Sequence, residues 1–141
     1  MQVFIIGSPY ETAMFLDKKR LNKQIVECKQ MLRALDGLSK AWRNHPCTIQ
    51  YNKHRFWLWV YMVCLASYRD GEYSNSMLFS EVCEMYKPEF HTDEYFEQMK
   101  RRLYTKDKEH YSYWSELGES NENWYWVDNQ WKKYVNGKII K

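Results

Sequence analysis

A chain of 141 residues can bury a core of its own, and a formal net charge of +3 is too small to hold nucleic acid by bulk charge. Any such partner would have to meet local clusters, and two exist: Lys18, Lys19, Arg20 and Lys23, then Lys100, Arg101 and Arg102. The longest apolar run, Phe56 to Ala66, falls short of the ~20 residues that cross a bilayer, and the start of the chain lacks a basic signal-peptide region. The expectation is a cytoplasmic protein with no membrane partner. Cys28, Cys47, Cys64 and Cys83 form no Cys-x-x-Cys pair, and His45, His54, His91 and His110 show no ligand spacing, so no metal site is expected. Cys28, Cys64 and Cys83 fall in apolar helical patterns and read as reduced, buried small hydrophobes.

In chain order, Val3–Ile6 is a short apolar segment, extended or irregular, that leads the N-terminus toward the core. Ser8, Pro9 and Glu11 supply an N-cap, an N1 proline and a capping-box acid, so a short helix should run through Phe15. Asp17 caps the next helix and Gly37 ends it. Pro46 biases His45 to an extended conformation, which predicts a rigid loop over 41–47, after which Thr48 caps a long helix to about Arg69. The Phe56–Ala66 stretch of that helix is apolar all round and predicts a central helix covered on most sides. Further helices are expected over Ser76–Tyr86, from Thr92 or Asp93 through Leu103, and from about Asp107 to Leu117. After a polar segment, 119–123, come two β-type runs around Asp128-Asn129, with Asn136-Gly137 as a second turn signal for a small hairpin or meander. The fold class expected is an all-α, compact single-domain bundle over 1–118, with an aromatic, basic C-terminal extension over 119–141.

The helix from Asp17 to Leu35 is the most informative stretch. Leu21, Ile25, Cys28, Leu32 and Leu35 recur at helical spacing and mark its buried stripe. A second row, Arg20, Gln24, Glu27 and Met31, runs beside it, so one carboxylate stands among Lys19, Lys23 and Arg20 at the edge of the buried face. Glu27 is either an ordinary surface partner of Lys23, worth ~0.2–0.5 kcal/mol, or a functional acid held among cations. Arg43 and His45 either meet a phosphate or nucleotide, or bond neighbouring backbone to fix the Pro46 turn. Trp124, Tyr125, Trp126, Trp131 and Tyr134 either stack on bases or dock the extension on the bundle. Lys132, Lys133 and Lys138 either meet phosphates or form a solvated face.

Three segments together carry a resemblance. Arg20-Leu21-x-x-Gln24-x-x-Glu27, the loop Trp42-Arg43-Asn44-His45-Pro46, and the ending Trp131-Lys132-Lys133-Tyr134-Val135-Asn136-Gly137-Lys138 are similar to elements of the phage-type pyrimidine-dimer DNA glycosylase (endonuclease V) family. The resemblance implies a small all-α fold, a DNA substrate, and no metal or cofactor. It implies removal of a damaged or modified pyrimidine by the chain's own N-terminal amine, followed by strand cleavage at the abasic site. It makes Met1 the bearer of the nucleophile and Glu27 the acid/base, with Arg20, Lys23, Gln24, Arg43, His45, Lys132, Lys133, Tyr134 and Lys138 on nucleic acid. An α-amine has an unperturbed pKa of ~7.7–8, so far more of it is neutral and nucleophilic than of a lysine. Gln2, Val3 and Val26 depart from the family's pattern: Gln2 should block removal of Met1, and the two valines stand where the family's phage archetype has arginines. The rival expectation is a relative that binds a nucleotide, a nucleotide-derived signal or nucleic acid without cleaving it.

Overall fold

In a computed structural model, which describes residues 1–140, helices take up 56% of the chain and a small antiparallel sheet closes its C-terminal end. The fold is therefore mostly helical and not strictly all-α. The helices are α1 (Pro9–Phe15), α2 (Lys18–Leu35), α3 (Pro46–Gln50), α4 (Arg55–Arg69), α5 (Tyr73–Met85) and α6 (Asp93–Lys106), followed by a 3-10 helix, Ser112–Leu117. Strands β1 (Asn123–Val127), β2 (Gln130–Val135) and β3 (Lys138–Ile140) form a meander in that order.

Capping residues start three of these helices as expected. Ser8 Oγ accepts from the Glu11 N–H at 3.1 Å, Asp17 from that of Arg20 at 3.4 Å, and Thr92 from that of Tyr95 at 3.3 Å. Both sheet turns have two residues with positive φ, Asp128-Asn129 and Asn136-Gly137, the geometry that suits the twist of a hairpin.

The expected long helix from Thr48 to Arg69 is broken. Pro46 opens α3 as its N1 residue, with His45 as an extended N-cap whose Nδ1 accepts from the Cys47 N–H at 3.1 Å. The turn that follows bonds at short range, Tyr51 N–H to Thr48 O and His54 N–H to Tyr51 O. It drops the Tyr51 ring into the core, stacked 5.5 Å from Trp57, with its hydroxyl 2.8 Å from His91 Nε2. Burying that aromatic ring outweighs one continuous run of helix.

Helix α4 packs on α1, α2 and α5. Trp57, Leu58, Tyr61 and Leu65 are buried, but Phe56 and Trp59 remain 46% and 44% exposed, so the helix is covered on three sides only. All four cysteines are buried and unpaired. No helix of the described residues is long and apolar enough to cross a membrane.

The sheet docks on the bundle by its aromatic face. Trp131 stacks on Tyr95 at 5.2 Å, Trp126 lies along Phe90, and Trp124 and Tyr125 are buried. The outer edge of β1 is closed by side chains. Gln2 Nε2 donates to Trp124 O at 3.1 Å while the Trp124 N–H donates back to Gln2 Oε1 at 2.9 Å, and the Trp126 N–H donates to Gln50 Oε1 at 2.9 Å. These bonds join the first residues of the chain to strand β1.

Candidate active site

The segment from Met1 to Ile6 has no regular secondary structure, yet Val3, Ile5 and Ile6 are buried. Gln24 is what holds it. Its Oε1 accepts from the Phe4 N–H at 2.6 Å and from the Tyr61 hydroxyl at 3.1 Å, and its Nε2 donates to Gln2 O at 3.0 Å. Gln24 is 1% exposed, so the side chain expected on nucleic acid is spent inside the protein. A buried amide with every group bonded fixes backbone well, because any slip leaves a donor or acceptor unpaired.

Held this way, Met1 meets Glu27 across one cleft. Two small cavities adjoin there. One, of about 60 Å³, is lined by residues that include Met1, Phe4, Lys23, Glu27, Arg102 and Lys106. The other, of about 120 Å³, shares Phe4, Lys23, Glu27 and Lys106 and adds Lys19, Arg20 and Gln24. Phe4 forms an apolar wall, with Lys106 Nζ 5.9 Å from its ring centre.

Glu27 is half-buried, and its carboxyl titrates above the usual carboxylate range because burial disfavours the charge. The N-terminal ammonium, Lys23 and Lys106 pull it back down, in that order. Among the described residues no hydrogen bond or ion pair engages the carboxylate, so the simple pairing with Lys23 is not what the structure contains. Lys106 titrates below the usual lysine range, through burial first and then the nearby cations Arg102, Lys23 and Arg20. Five side-chain cations and an ammonium around one carboxylate make a cleft that attracts a phosphate-bearing ligand while keeping a proton acceptor inside it.

Arg20 is less free than its position suggested. It pairs with Asp17 at 3.2 Å and Asp107 at 3.9 Å and donates to Lys106 O at 3.5 Å, tying the start of α2 to the end of α6. That tie brings Lys106 to the Glu27 cleft. Lys106 is the site cation that sequence reasoning missed, and Arg102 stands out in the sequence only as part of a basic cluster, not at the Glu27 cleft. The signal was their i, i+4 spacing beside buried Leu103, although Arg102 also donates to Asn123 Oδ1 at 3.1 Å and Ser120 O at 3.3 Å. Nothing in the pattern marks Phe4 or Asn123.

His45 lies near the amine. Burial and the N-terminal ammonium both lower its pKa, which keeps it neutral, and its ring stands edge-on to Tyr125 at 5.6 Å. Arg43 is exposed and donates to Ser39 O at 3.4 Å. The C-terminal candidates stand apart from the cleft. Lys132 pairs with Asp128 at 3.8 Å, Lys133 lies 4.1 Å over the Trp124 ring, Tyr134 packs on Tyr125 at 5.5 Å, and Lys138 is exposed. Val3 is fully buried, whereas Val26 is exposed on the α2 surface next to Glu27.

Residues 1–69 of the chain match the family model of pyrimidine dimer DNA glycosylases. The chain resembles that family over this stretch, which contains Met1, Lys23, Glu27 and the Trp42–Pro46 turn. No curated protein and no solved structure matches the chain. Among the described residues, no three His, Cys, Asp or Glu side chains converge to hold a metal ion. A larger cavity, about 370 Å³, lies between α6 and the 119–122 segment, but Glu94, Glu97, Glu119 and Glu122 line it and would repel phosphate.

Proposed function

We propose that the protein is a DNA N-glycosylase acting on a damaged or modified pyrimidine, with abasic-site lyase activity through an imine of the Met1 amine. The observation that carries this reading is the shared cleft of the N-terminal amine and an unpaired, half-buried Glu27, rimmed by Lys23, Arg102 and Lys106. The amine nitrogen attacks C1′ and the C1′–N bond to the base breaks, the base leaving with a proton. Opening of the sugar ring gives the imine. The imine acidifies C2′–H, so a base can take that proton while the C3′–O bond breaks and the 3′ phosphate departs. Hydrolysis of the imine returns the amine. Glu27 is suited to both proton transfers, since its raised pKa brings it nearer to neutrality; such catalysis is typically worth ~10²–10⁴-fold. The exposed lysines supply the phosphate attraction that the modest net charge cannot.

The test is duplex DNA carrying dimers, modified pyrimidines or an abasic site, incubated with the protein and borohydride. A covalent adduct mapping to Met1 is expected. Absence of adduct on every substrate, abasic DNA included, would falsify the imine reading. Intact-mass measurement of the same sample should show Met1 retained. The rival, a protein that binds a nucleotide without cleaving nucleic acid, would instead show thermal stabilisation by free nucleotides and none by duplex DNA.

A further inference from the structure

Chain ends are ordinarily loose unless something ties them down. Here four successive carbonyls are tied from four different elements. Met1 O accepts from the Tyr125 hydroxyl on β1 at 2.6 Å, and Gln2 O from Gln24 on α2 at 3.0 Å. Val3 O accepts from the Tyr95 hydroxyl on α6 at 3.0 Å, and Phe4 O from the Tyr61 hydroxyl on α4 at 3.2 Å. The donors Gln24, Tyr61, Tyr95 and Tyr125 are all buried. Burial of Val3, Phe4, Ile5 and Ile6 takes their backbone from water and obliges those carbonyls to find internal partners, whereas Met1 is only partly buried and its carbonyl is bonded all the same.

We propose that Tyr125 is the positioning residue of the Met1 amine, an inference that rests on the imine reading above. The peptide plane joining residues 1 and 2 contains the Met1 carbonyl. Once that carbonyl is held, rotation about the Met1 Cα–C bond is the one backbone motion left to the amine. The Tyr125 ring is itself fixed, edge-on to His45 at 5.6 Å and against Tyr134 at 5.5 Å. The Gln2–Trp124 bonds hold the next residue to the same strand. Strand β1 is thus part of the reaction centre, and it lies beyond the stretch that matches the family model. A near-attack geometry depends on such fixing, and a displacement of about 1 Å can cost ~10²-fold.

The experiment compares wild type, Tyr125→Phe and Ser76→Ala. The last removes a buried bond of similar kind, Ser76 Oγ to Cys64 O, far from the amine. Two readouts are taken. One is the single-turnover rate of borohydride trapping on abasic duplex as a function of DNA concentration. The other uses no DNA: glycolaldehyde phosphate with borohydride, and peptide mass mapping of how much label reaches Met1 against the lysines. Tyr125→Phe should lower the saturated trapping rate ~10-fold or more while the half-saturating DNA concentration stays within about twofold. Met1's share of the label should fall with it. Ser76→Ala should lower Tm and move neither readout. Should Tyr125→Phe not fold, Gln2→Leu, which frees residue 2 from Trp124 and keeps Tyr125, takes its place with the same expected direction. Unchanged trapping and labelling in the folded variant overturn the proposal. A wild type that labels at Met1 in a Tyr125-dependent way, yet traps no DNA, would keep the positioning and sink the glycosylase.

Discussion

The first six residues and the C-terminal meander are fixed by opposite means. The N-terminal arm has no ladder and no helix, yet it is buried, and its carbonyls and the Phe4 N–H are bonded by side chains from α2, α4, α6 and β1. The meander has regular pairing and two ideal turns, but its burial fades from β1 outward, leaving Ile139 and Ile140 52% and 41% exposed. Regular hydrogen bonding does not by itself make a segment rigid; burial of the bonded groups does, because water cannot replace a broken bond there. An irregular arm is therefore a sound carrier for a reacting group when a core holds it.

The largest effect should come from α2, across the cleft from the arm's tip. Glu27→Gln keeps the side chain's volume and removes its charge and proton-transfer capacity. Trapping or base release should fall by ~10²–10⁴-fold, with DNA affinity similar or better, since one negative charge near phosphate is lost. Lys23→Ala, made beside it, should instead weaken binding and reduce the salt slope by ~1. Full turnover in Glu27→Gln on a verified substrate would remove Glu27 from the chemistry.

A direct contrast between arm and meander comes from Gln24→Ala set against Ile139→Ser. The first strands the Phe4 N–H and Gln2 C=O in the core, at ~1–3 kcal/mol for each unsatisfied group. The second alters an exposed edge position and should stay within ~0.5 kcal/mol. Urea midpoints measure both. Similar midpoints for the two variants would mean that the arm is held by packing and not by its bonded carbonyls.

Acid should have a smaller, graded effect, beginning in the packing between sheet and bundle. His91, under the sheet against Tyr51, Trp57 and Tyr95, has its pKa pushed down from 6.5 to about 3, chiefly by burial and then by Lys87 and His54. The folded state refuses a proton that the unfolded chain accepts, so this stabilisation is complete above pH 6.5 and is lost as pH falls toward 3. The slope from one such group is at most ~1.4 kcal/mol per pH unit. His45 and His54, also lowered by burial, act in the same direction. His91→Gln should be less stable than wild type at neutral pH, with the gap narrowing as denaturation is repeated from pH 6.5 to 4. A gap that stays constant would mean that His91 does not titrate on unfolding.

Local signals were legible wherever one residue type has one structural use. Ser8, Asp17 and Thr92 cap their helices, the Leu21-to-Leu35 stripe faces the core, and Asp128-Asn129 and Asn136-Gly137 turn the strands. Each depends on neighbours within a turn or two of chain. Pro46 shows the limit of that reasoning. An extended residue before proline describes a rigid loop and a helix N-cap equally well, and burial of Tyr51 chose between them.

The sequence by itself therefore determined α1, α2 and α6 with their caps, the sheet turns and Glu27's place at the edge of a buried face. Tertiary structure alone decided which polar residues are free to act. Gln24 and Glu27 lie three positions apart on one helix with similar side chains, yet the first is consumed by three internal bonds and the second is left unpaired beside the amine. Arg20, expected on nucleic acid, is taken by Asp17 and Asp107, while Lys106 enters the cleft from 79 positions after Glu27. Helical spacing states which way a side chain leaves its helix; only the packed neighbours state whether its hydrogen bonds are already filled, and those neighbours are distant in the chain.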